Sequence, residues 1–274
     1  MEKMPAWADV VLVPLISLLL AAAISALVIM GIGEDPMAAV KMMVSGALGS
    51  TYGWGYTLYY ATNFMFTGLA VSVAFHAKMF NIGGEGQAMI GGLGVALMAL
   101  FIPWQHWSLA LIFCSIGGAV FGALWALIPA ILQAKRGSHI VITTIMFNFM
   151  AAALLNYLLV SILRPVKSMD PATASFPEPT HLPTLHDILM PLGIEFSKSA
   201  PANVSLLLAL AAAVFVWVLI WRTRLGYALR AFGHSDTAAQ YAGINPVKIT
   251  ILAMLISGGL AGMMAVNTLS LIHI

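Results

Sequence analysis

The residues best able to do chemistry in this chain lie in a glycine-rich segment, residues 79–92, which reads Met-Phe-Asn-Ile-Gly-Gly-Glu-Gly-Gln-Ala-Met-Ile-Gly-Gly. Glu85 is a carboxylate beside apolar sequence, and a charged side chain inside a membrane costs roughly 2.5–3.5 kcal/mol on insertion scales. It therefore needs hydrogen-bond partners or a water-lined cavity, while glycines allow the backbone to bend or helices to approach closely. We predict that a solute path is lined by Asn81, Gly83, Gly84, Glu85, Gly86 and Gln87.

Glu85 has a second interpretation. Its carboxylate could instead anchor the bent backbone by accepting hydrogen bonds from N–H groups of the same glycine-rich loop. Three further amides inside apolar stretches are explained more simply by hydrogen bonds between helices: Asn63, Asn148 and Asn156.

The composition is typical of helical membrane proteins. The chain has 274 residues, of which 61% are hydrophobic and 8% are charged, whereas soluble domains carry about 25% charged residues. Its apolar stretches reach the roughly 20 residues that a helix needs to cross a bilayer. We therefore predict an all-α polytopic membrane protein. The net charge of +2 is too small to indicate nucleic-acid binding, and the single cysteine, Cys114, excludes an intrachain disulfide and is best explained as a small core residue.

Seven apolar stretches predict seven transmembrane helices in a single domain, residues 1–274. The third stretch is short for a bilayer and directly follows the glycine-rich segment, so we expect a broken or re-entrant element near residues 80–92. Two pairs of glycines, Gly118 with Gly122 and Gly258 with Gly262, predict close helix packing. The candidate spans are Val10–Met30, Thr57–His76, Ala88–Ile102, Ser108–Leu132, Ile140–Leu163, Ala202–Trp221 and Val247–Leu269.

Lysine and arginine residues set the expected orientation, because cytoplasmic segments of membrane proteins are enriched in them. A cytoplasmic N-terminus places eight of the twelve on the inside, and we predict that orientation. The 222–246 loop is then cytoplasmic and the 164–201 loop is external. The inside set is Lys3, Lys78, Lys135, Arg136, Arg222, Arg224, Arg230 and Lys248, and the outside set is Lys41, Arg164, Lys167 and Lys198.

The 164–201 loop is rich in proline, and we expect it to be ordered by contact with the rest of the chain rather than as a domain. It is either a docking surface for an external partner or a connector between two spans. Its residues His181, His186 and Asp187 match no strong metal-binding spacing, so we predict no metal site.

The 222–246 loop contains the signals of a short capped helix. Ser235 or Asp236 is a suitable N-cap, residues 237–242 favour a helix, and Gly243 suits the position after its end. A helix with small residues and one aromatic, Tyr241, is suited to a groove on another protein. The alternative is an interfacial helix that lies on the membrane surface. The small residues are Ala238, Ala239 and Ala242.

Two segments carry a resemblance to a known family. Residues 226–245, followed by Ser257-Gly-Gly-Leu-Ala-Gly262, resemble the coupling region of ABC importer permeases, and residues 66–87 resemble their nucleoside and simple-sugar branch. The chain is thereby identified as a member of the branched-chain amino acid, ribose and nucleoside permease family. Members of that family are usually longer, and this chain ends in Leu-Ser-Leu-Ile-His-Ile directly after its last span, so we expect a C-terminally truncated product.

The resemblance implies partners for this chain and roles for its residues. It implies a permease without cofactors in a bacterial inner membrane, paired with a second identical or related permease, with cytoplasmic ATP-binding subunits and with an external substrate-binding lipoprotein. Asn81, Glu85 and Gln87 are expected near a path for a nucleoside or sugar, because polar groups can exchange hydrogen bonds with a solute that sheds water. The residues expected in the coupling helix that contacts the ATPase are Asp236, Ala238, Ala239, Tyr241 and Gly243.

Two other classes of function compete with this interpretation. An ion-coupled secondary transporter usually has ionisable residues in several spans, whereas Glu85 is nearly alone here. An intramembrane enzyme is disfavoured because the chain has no His-Glu-x-x-His or Gly-x-Ser-x-Gly motif. It also has no Gly-x-x-x-x-Gly-Lys-Ser/Thr loop, so any ATP hydrolysis must occur on a separate polypeptide.

Overall fold

A computed structural model of the protein describes residues 7–166 and 168–270, so Lys3, Lys167 and the last four residues of the sequence lie outside the described residues. Within the described residues every named element is helical, which confirms the all-α prediction. The helices are α1 (Val13–Gly31), α2 (Pro36–Leu48), α3 (Thr51–His76), α4 (Gly84–Phe101), α5 (Trp107–Arg136), α6 (Ile140–Ser161), α7 (Leu185–Leu189), α8 (Ser205–Arg222), α9 (Arg224–His234), α10 (Asp236–Tyr241) and α11 (Pro246–Met263).

Seven helices of the described chain are long and apolar enough to cross a membrane, which confirms the predicted number. They are α1 with the π-helical turn before it, α3, α4, α5, α6, α8, and α11 together with its 3₁₀ continuation, Met264–Ser270. The prediction of a broken or re-entrant element near residues 80–92 is wrong for most of that range: residues 77–83 are irregular, but residues 84–92 belong to the continuous helix α4. The third span is therefore a complete helix of 18 residues that begins before the predicted Ala88.

The chain divides into two compact units, Met1–Trp54 and Gly55–Ile274. In the first unit, neither α1 nor α2 buries a residue. Helix α2, which the sequence analysis did not predict, begins where the Asp35 carboxylate accepts a hydrogen bond from the backbone N–H of Met37 (2.9 Å). Pro36 follows at the first helical position, where its missing N–H leaves no intrahelical bond unmade.

In the second unit, glycines bring α4, α5 and α11 into close contact. A Cβ atom added at Gly122 would overlap the carbonyl oxygen of Gly258, and one added at Gly262 would overlap the carbonyl oxygen of Gly118. A Cβ at Gly91 of α4 would overlap the Cα of Gly262. The close packing predicted from the two glycine pairs is therefore confirmed, and it extends to a third helix.

Helix α3 ends in a left-handed turn at Lys78, whose φ is 58°. The N–H of Met79 donates to the carbonyl of Ala74 (3.0 Å) and the N–H of Lys78 donates to the carbonyl of Phe75 (2.9 Å). This is the Schellman pattern, which usually places glycine where Lys78 stands. The turn directs the chain from α3 into the glycine-rich segment.

The 164–201 loop is held by contacts, as expected. Phe176 and Leu182 are buried in an apolar cluster with residues of α4, α5 and the 3₁₀ segment that continues α11, Met264–Ser270. Short helical turns, Glu178–Thr180 and α7, give the loop local order, and the N–H of Leu185 donates to the carbonyl of Ala202 (2.8 Å).

Candidate functional site

Asn81 lies at the centre of a buried cluster of polar side chains. Its Nδ2 donates to Gln87 Oε1 (2.9 Å) and to Ser257 Oγ (2.8 Å). Its Oδ1 accepts from the N–H of Gly83 (3.0 Å) and from Gln87 Nε2 (3.1 Å). Ser257 Oγ in turn donates to the carbonyl of Ala70 (2.7 Å). We call Asn81, Gln87 and Ser257 the amide cluster, and it joins α3, α4 and α11 to the glycine-rich segment.

Asn148 of α6 holds the same segment from another direction. Its Oδ1 accepts from the N–H of Gly86 (2.9 Å), and its Nδ2 donates to the carbonyl of Ile82 (3.0 Å). A Cβ atom at Gly86 would lie 2.9 Å from Asn148 Oδ1, so glycine permits this approach. The first N–H groups of a helix have no intrahelical partner, and Asn148 satisfies one of them here.

Glu85 is exposed, in the first turn of α4. The backbone anchoring considered for its carboxylate is carried out by Asn81 and Asn148 instead. Glu85 lines a groove of about 340 Å³ between α4, α6 and the 3₁₀ segment. A carboxylate near a helix N-terminus is also favoured by the helix dipole. The other residues that line the groove are Ala88, Met89, Gly92, Leu155, Met264, Ala265 and Thr268.

The predicted path residues therefore separate into two groups. Glu85 is exposed and Gly84 is partly exposed, whereas Gln87 is only 1% exposed and Asn81, Gly83 and Gly86 are also buried. The amide groups of Asn81 and Gln87 are engaged with the protein itself in this conformation.

A second buried polar cluster, not predicted from the sequence, surrounds Asn267 in the 3₁₀ segment Met264–Ser270. Asn267 Nδ2 donates to Asn63 Oδ1 (2.8 Å). Its Oδ1 accepts from Asn203 Nδ2 (3.0 Å) and from Ser205 Oγ (2.8 Å). The hydrogen bonds of Asn63 and Asn148 confirm their interpretation as contacts between helices. The available sequence signal for Asn267 was an amide inside a long apolar stretch.

Helix α10 occurs where the sequence predicted it. Ser235 Oγ accepts from the N–H of Ala238 (3.3 Å) at its start. At its end the N–H of Ile244 donates to the carbonyl of Ala239 (2.9 Å), and Gly243 adopts the left-handed conformation with φ of 80°. These bonds form a Schellman motif with glycine at its usual position. The preceding helix α9, capped by Thr223, was not predicted.

Side chains of α10 point in two directions. Ala239 is 3% exposed and faces the interior of the chain, whereas Tyr241 is 95% exposed. Tyr241 lines a surface pocket of about 390 Å³ with Thr237 and Gln240. The other residues assigned to the helix are exposed: Asp236, Ala238 and Gly243.

The end of α9 lies directly against the end of α3. A Cβ atom at Gly233 would overlap the carbonyl oxygen of His76. A cavity of about 420 Å³ beside this contact is lined by Lys78 and Met79 of the turn after α3 and by Asp236 of α10. The start of α10 and the turn that leads into the glycine-rich segment thus line the same cavity.

The three residues considered as a metal site are engaged in loop structure. A ring nitrogen of His181 lies 3.2 Å from the carbonyl of Phe176. Asp187 forms a capping box with Thr184, and hydrogen bonds from the Thr184 hydroxyl and N–H hold the pKa of that carboxyl below its usual range. Among the described residues, no group of three or more His, Cys, Asp or Glu side chains is placed to hold a metal ion.

A family model for the permease component of branched-chain amino acid transport systems matches residues 53–272. No solved structure matches the chain.

Individual proteins are similar over most of the chain. A guanosine ABC transporter permease of Bacillus subtilis is 34% identical over 92% of this chain and 70% of its own length. A nucleoside ABC transporter permease of Lactococcus lactis is 31% identical over 92% of this chain and 69% of its own. A glucose ABC transporter permease of Haloferax volcanii is 32% identical over 91% of this chain and 65% of its own.

Proposed function

The chain belongs to the family of permease components of branched-chain amino acid transport systems, and on that premise we propose that it forms the membrane path of an ATP-driven importer for a nucleoside or simple sugar. Its α10 is the coupling helix that meets a separate ATP-binding subunit. An external binding protein delivers the solute, and a second permease, identical or related, completes the path. The N-terminus and the 222–246 loop face the cytoplasm of a bacterial cell.

The observation that carries this proposal is the geometry of α10. It is a short helix with a hydrogen-bonded cap at each end, and it holds Tyr241 almost completely exposed. A large exposed aromatic side chain is a frequent anchor of protein interfaces. The inner side of the helix, at Ala239, packs against its own chain. Force applied at Tyr241 would therefore be transmitted to the turn after α3 through the contact between Gly233 and His76.

The solutes named for the relatives support the proposed class of solute. Guanosine and glucose, named for two of the relatives, are neutral and rich in hydroxyl groups. The surface of the groove beside Glu85 is almost entirely apolar, and Glu85 and Thr268 are the described lining residues with a polar side chain.

Uptake of labelled nucleosides and pentoses tests this proposal. The gene is expressed with its genomic neighbours, ATP is depleted in one set of cells, and the proton gradient is collapsed in another. We expect uptake to be lost only when ATP is depleted, and the labelled compound that accumulates identifies the substrate class. Loss of uptake only after gradient collapse would instead establish ion-coupled secondary transport.

A further inference from the structure

A pocket of about 710 Å³ opens where the ends of α3 and α8 meet α9, away from the amide cluster and the groove beside Glu85. Both α3 and α8 are candidate membrane spans, and the pocket lies at their last turns. None of the described residues that line it carries a carboxylate. They are Phe75, His76, Trp221, Arg230, Gly233 and His234.

Arg230 supplies the charge of this pocket. Its guanidinium carbon lies 4.5 Å from the centroid of the Trp221 ring, within the range of a cation–π contact. Its Nε is buried and has no hydrogen-bond partner among the described residues. A cation–π contact uses none of the N–H donors of the guanidinium, and those donors match the oxygens of a phosphate group.

The surroundings of Arg230 are those of a membrane boundary. At the end of α8 the Arg222 guanidinium lies 5.3 Å from the ring centroid of Trp217, about one turn before Trp221, which repeats the pairing of arginine with tryptophan. Tryptophan is enriched at the level of lipid headgroups. Phe75 and Trp221 are 59% and 52% exposed, so the pocket has aromatic walls that face outward.

We propose that this pocket binds the headgroup phosphate of an anionic phospholipid. The Arg230 guanidinium donates to the phosphate oxygens, and the rings of Phe75 and Trp221 contact the glycerol and the upper part of an acyl chain. A lipid fits better than a free phosphate ion, because exposed aromatic walls at the end of two spans match an amphipathic ligand. Since binding of the lipid does not depend on the transported solute, the proposal stands apart from the proposed function.

Native mass spectrometry of the purified full-length chain tests the site, with phosphatidylglycerol or phosphatidylcholine added in increasing amounts. We expect phosphatidylglycerol to bind more tightly, and Arg230→Gln to weaken its binding by about tenfold, the loss expected when a charged hydrogen bond is removed. Arg224→Gln is the matched control, because Arg224 lies on the same helix, is exposed and lies outside the pocket. The control should bind as the unchanged protein does.

Other outcomes would overturn the proposal. If Arg224→Gln weakened lipid binding as much as Arg230→Gln does, binding would depend only on the overall positive charge of the protein and not on this pocket. Displacement of the lipid by inorganic phosphate, or equal binding of phosphatidylcholine, would mean that the pocket does not select an anionic lipid. If Arg230→Gln does not purify as a folded protein, Trp221→Leu carries the same expectation, because it removes the aromatic ring that contacts the Arg230 guanidinium and lines the pocket.

Discussion

Both the nitrogen and the oxygen of the Asn81 side-chain amide form hydrogen bonds inside the protein. Through Gln87 and Ser257 it connects a loop to two helices, and Asn148 holds the following residues in the same way. Buried polar groups that are fully hydrogen bonded specify one arrangement of the backbone, because any other arrangement leaves them unsatisfied. The start of α4 is therefore defined by side chains at distant positions of the chain.

We expect Asn81→Leu to destabilise the protein strongly. The substitution leaves the Gln87 amide and the N–H of Gly83 without a partner and removes the hydrogen bond that Ser257 accepts, and an unsatisfied buried polar group costs about 1–3 kcal/mol. Thermal unfolding in detergent should show a midpoint lowered by at least about 4 °C. The matched control is Asn156→Leu, since Asn156 is exposed on α6. An equal shift in both variants would show that the amide cluster adds no stability of its own.

Glu85 provides a test of the driving force at the residue scale. Glu85→Gln keeps the shape and hydrogen-bonding capacity of the side chain but removes its charge. Because the proposed solute is neutral and ATP drives the transport, we expect uptake to remain near that of the unchanged protein. Uptake of the identified nucleoside or sugar is measured in cells with equal amounts of each protein. Abolished uptake would indicate that the charge is required, as a proton-coupled mechanism at this residue demands.

At the scale of elements, α10 has an exposed aromatic side chain, Tyr241, and is held in place by its caps and by the buried Ala239. The caps at Ser235 and Gly243 give the helix defined ends, and Ala239 packs inward. Substitution of Ala239 by a bulky residue would disturb the packing of the helix itself. Tyr241 is the better position at which to test docking, because its side chain contributes little to the fold around it.

Tyr241→Ala is expected to reduce copurification of the ATP-binding subunit while the amount of protein in the membrane stays the same. The physical reason is the loss of an aromatic anchor, and truncation of such an anchor typically costs 2 kcal/mol or more of binding free energy. Tyr157→Ala on α6 removes an exposed tyrosine from another helix and serves as the control. If the ATP-binding subunit copurifies fully with Tyr241→Ala, Tyr241 is not part of the interface.

The capping box of α7 predicts a dependence on pH. Hydrogen bonds from Thr184 lower the pKa of Asp187 in the folded loop, so they stabilise the fold above the ordinary aspartate pKa of about 3.9. That stabilisation is lost as the pH falls through the lowered folded pKa. Protease resistance of the 164–201 loop should therefore differ between the unchanged protein and Asp187→Asn at neutral pH and converge in acid. Glu195→Gln, which changes an exposed carboxylate of the same loop, should show no such pH-dependent difference.

At the scale of the whole molecule, α11 and its 3₁₀ continuation take part in all three apolar clusters of the second unit. Leu260 packs with α3 and α8, Met254 packs with α5 and α9, and Val266 packs with α4 and the 164–201 loop. Glycines bring this element against α4 and α5 at backbone distance. Because lipid tails are as apolar as the side chains, such close packing and buried hydrogen bonds hold the helices together.

Gly262→Ala is expected to lower the thermal stability of the protein. Its methyl group would overlap the carbonyl oxygen of Gly118, and overpacking of this kind typically costs about 1–3 kcal/mol. Gly68→Ala is the control, because a Cβ at Gly68 meets no atom within 4 Å. The unfolding midpoint should fall only for Gly262→Ala. If the unfolding midpoint of Gly262→Ala is unchanged, α5 and α11 can move apart to accommodate the methyl group without loss of stability.

The sequence alone determined the features that depend on local physics. Span number follows from the hydrophobicity of consecutive residues, and the α10 prediction follows from capping bonds between residues at most five positions apart, from Ser235 to Ile244. The α4 start was misplaced because Gly84 and Gly86 disfavour a helix by local preference. The bond from Gly86 to Asn148, 62 residues away, decides that start.

Only the tertiary structure decided which polar residues face inward. Asn81 and Ser257 are 176 residues apart in sequence, and no local pattern pairs them. The burial of Ala239 and the exposure of Tyr241 likewise depend on what packs beneath α10. In a membrane protein both lipid and protein interior are apolar, so hydrophobic patterning identifies the spans but not the side of each helix that is buried. Long-range hydrogen bonds and glycine contacts between helices determine which side of each helix is buried.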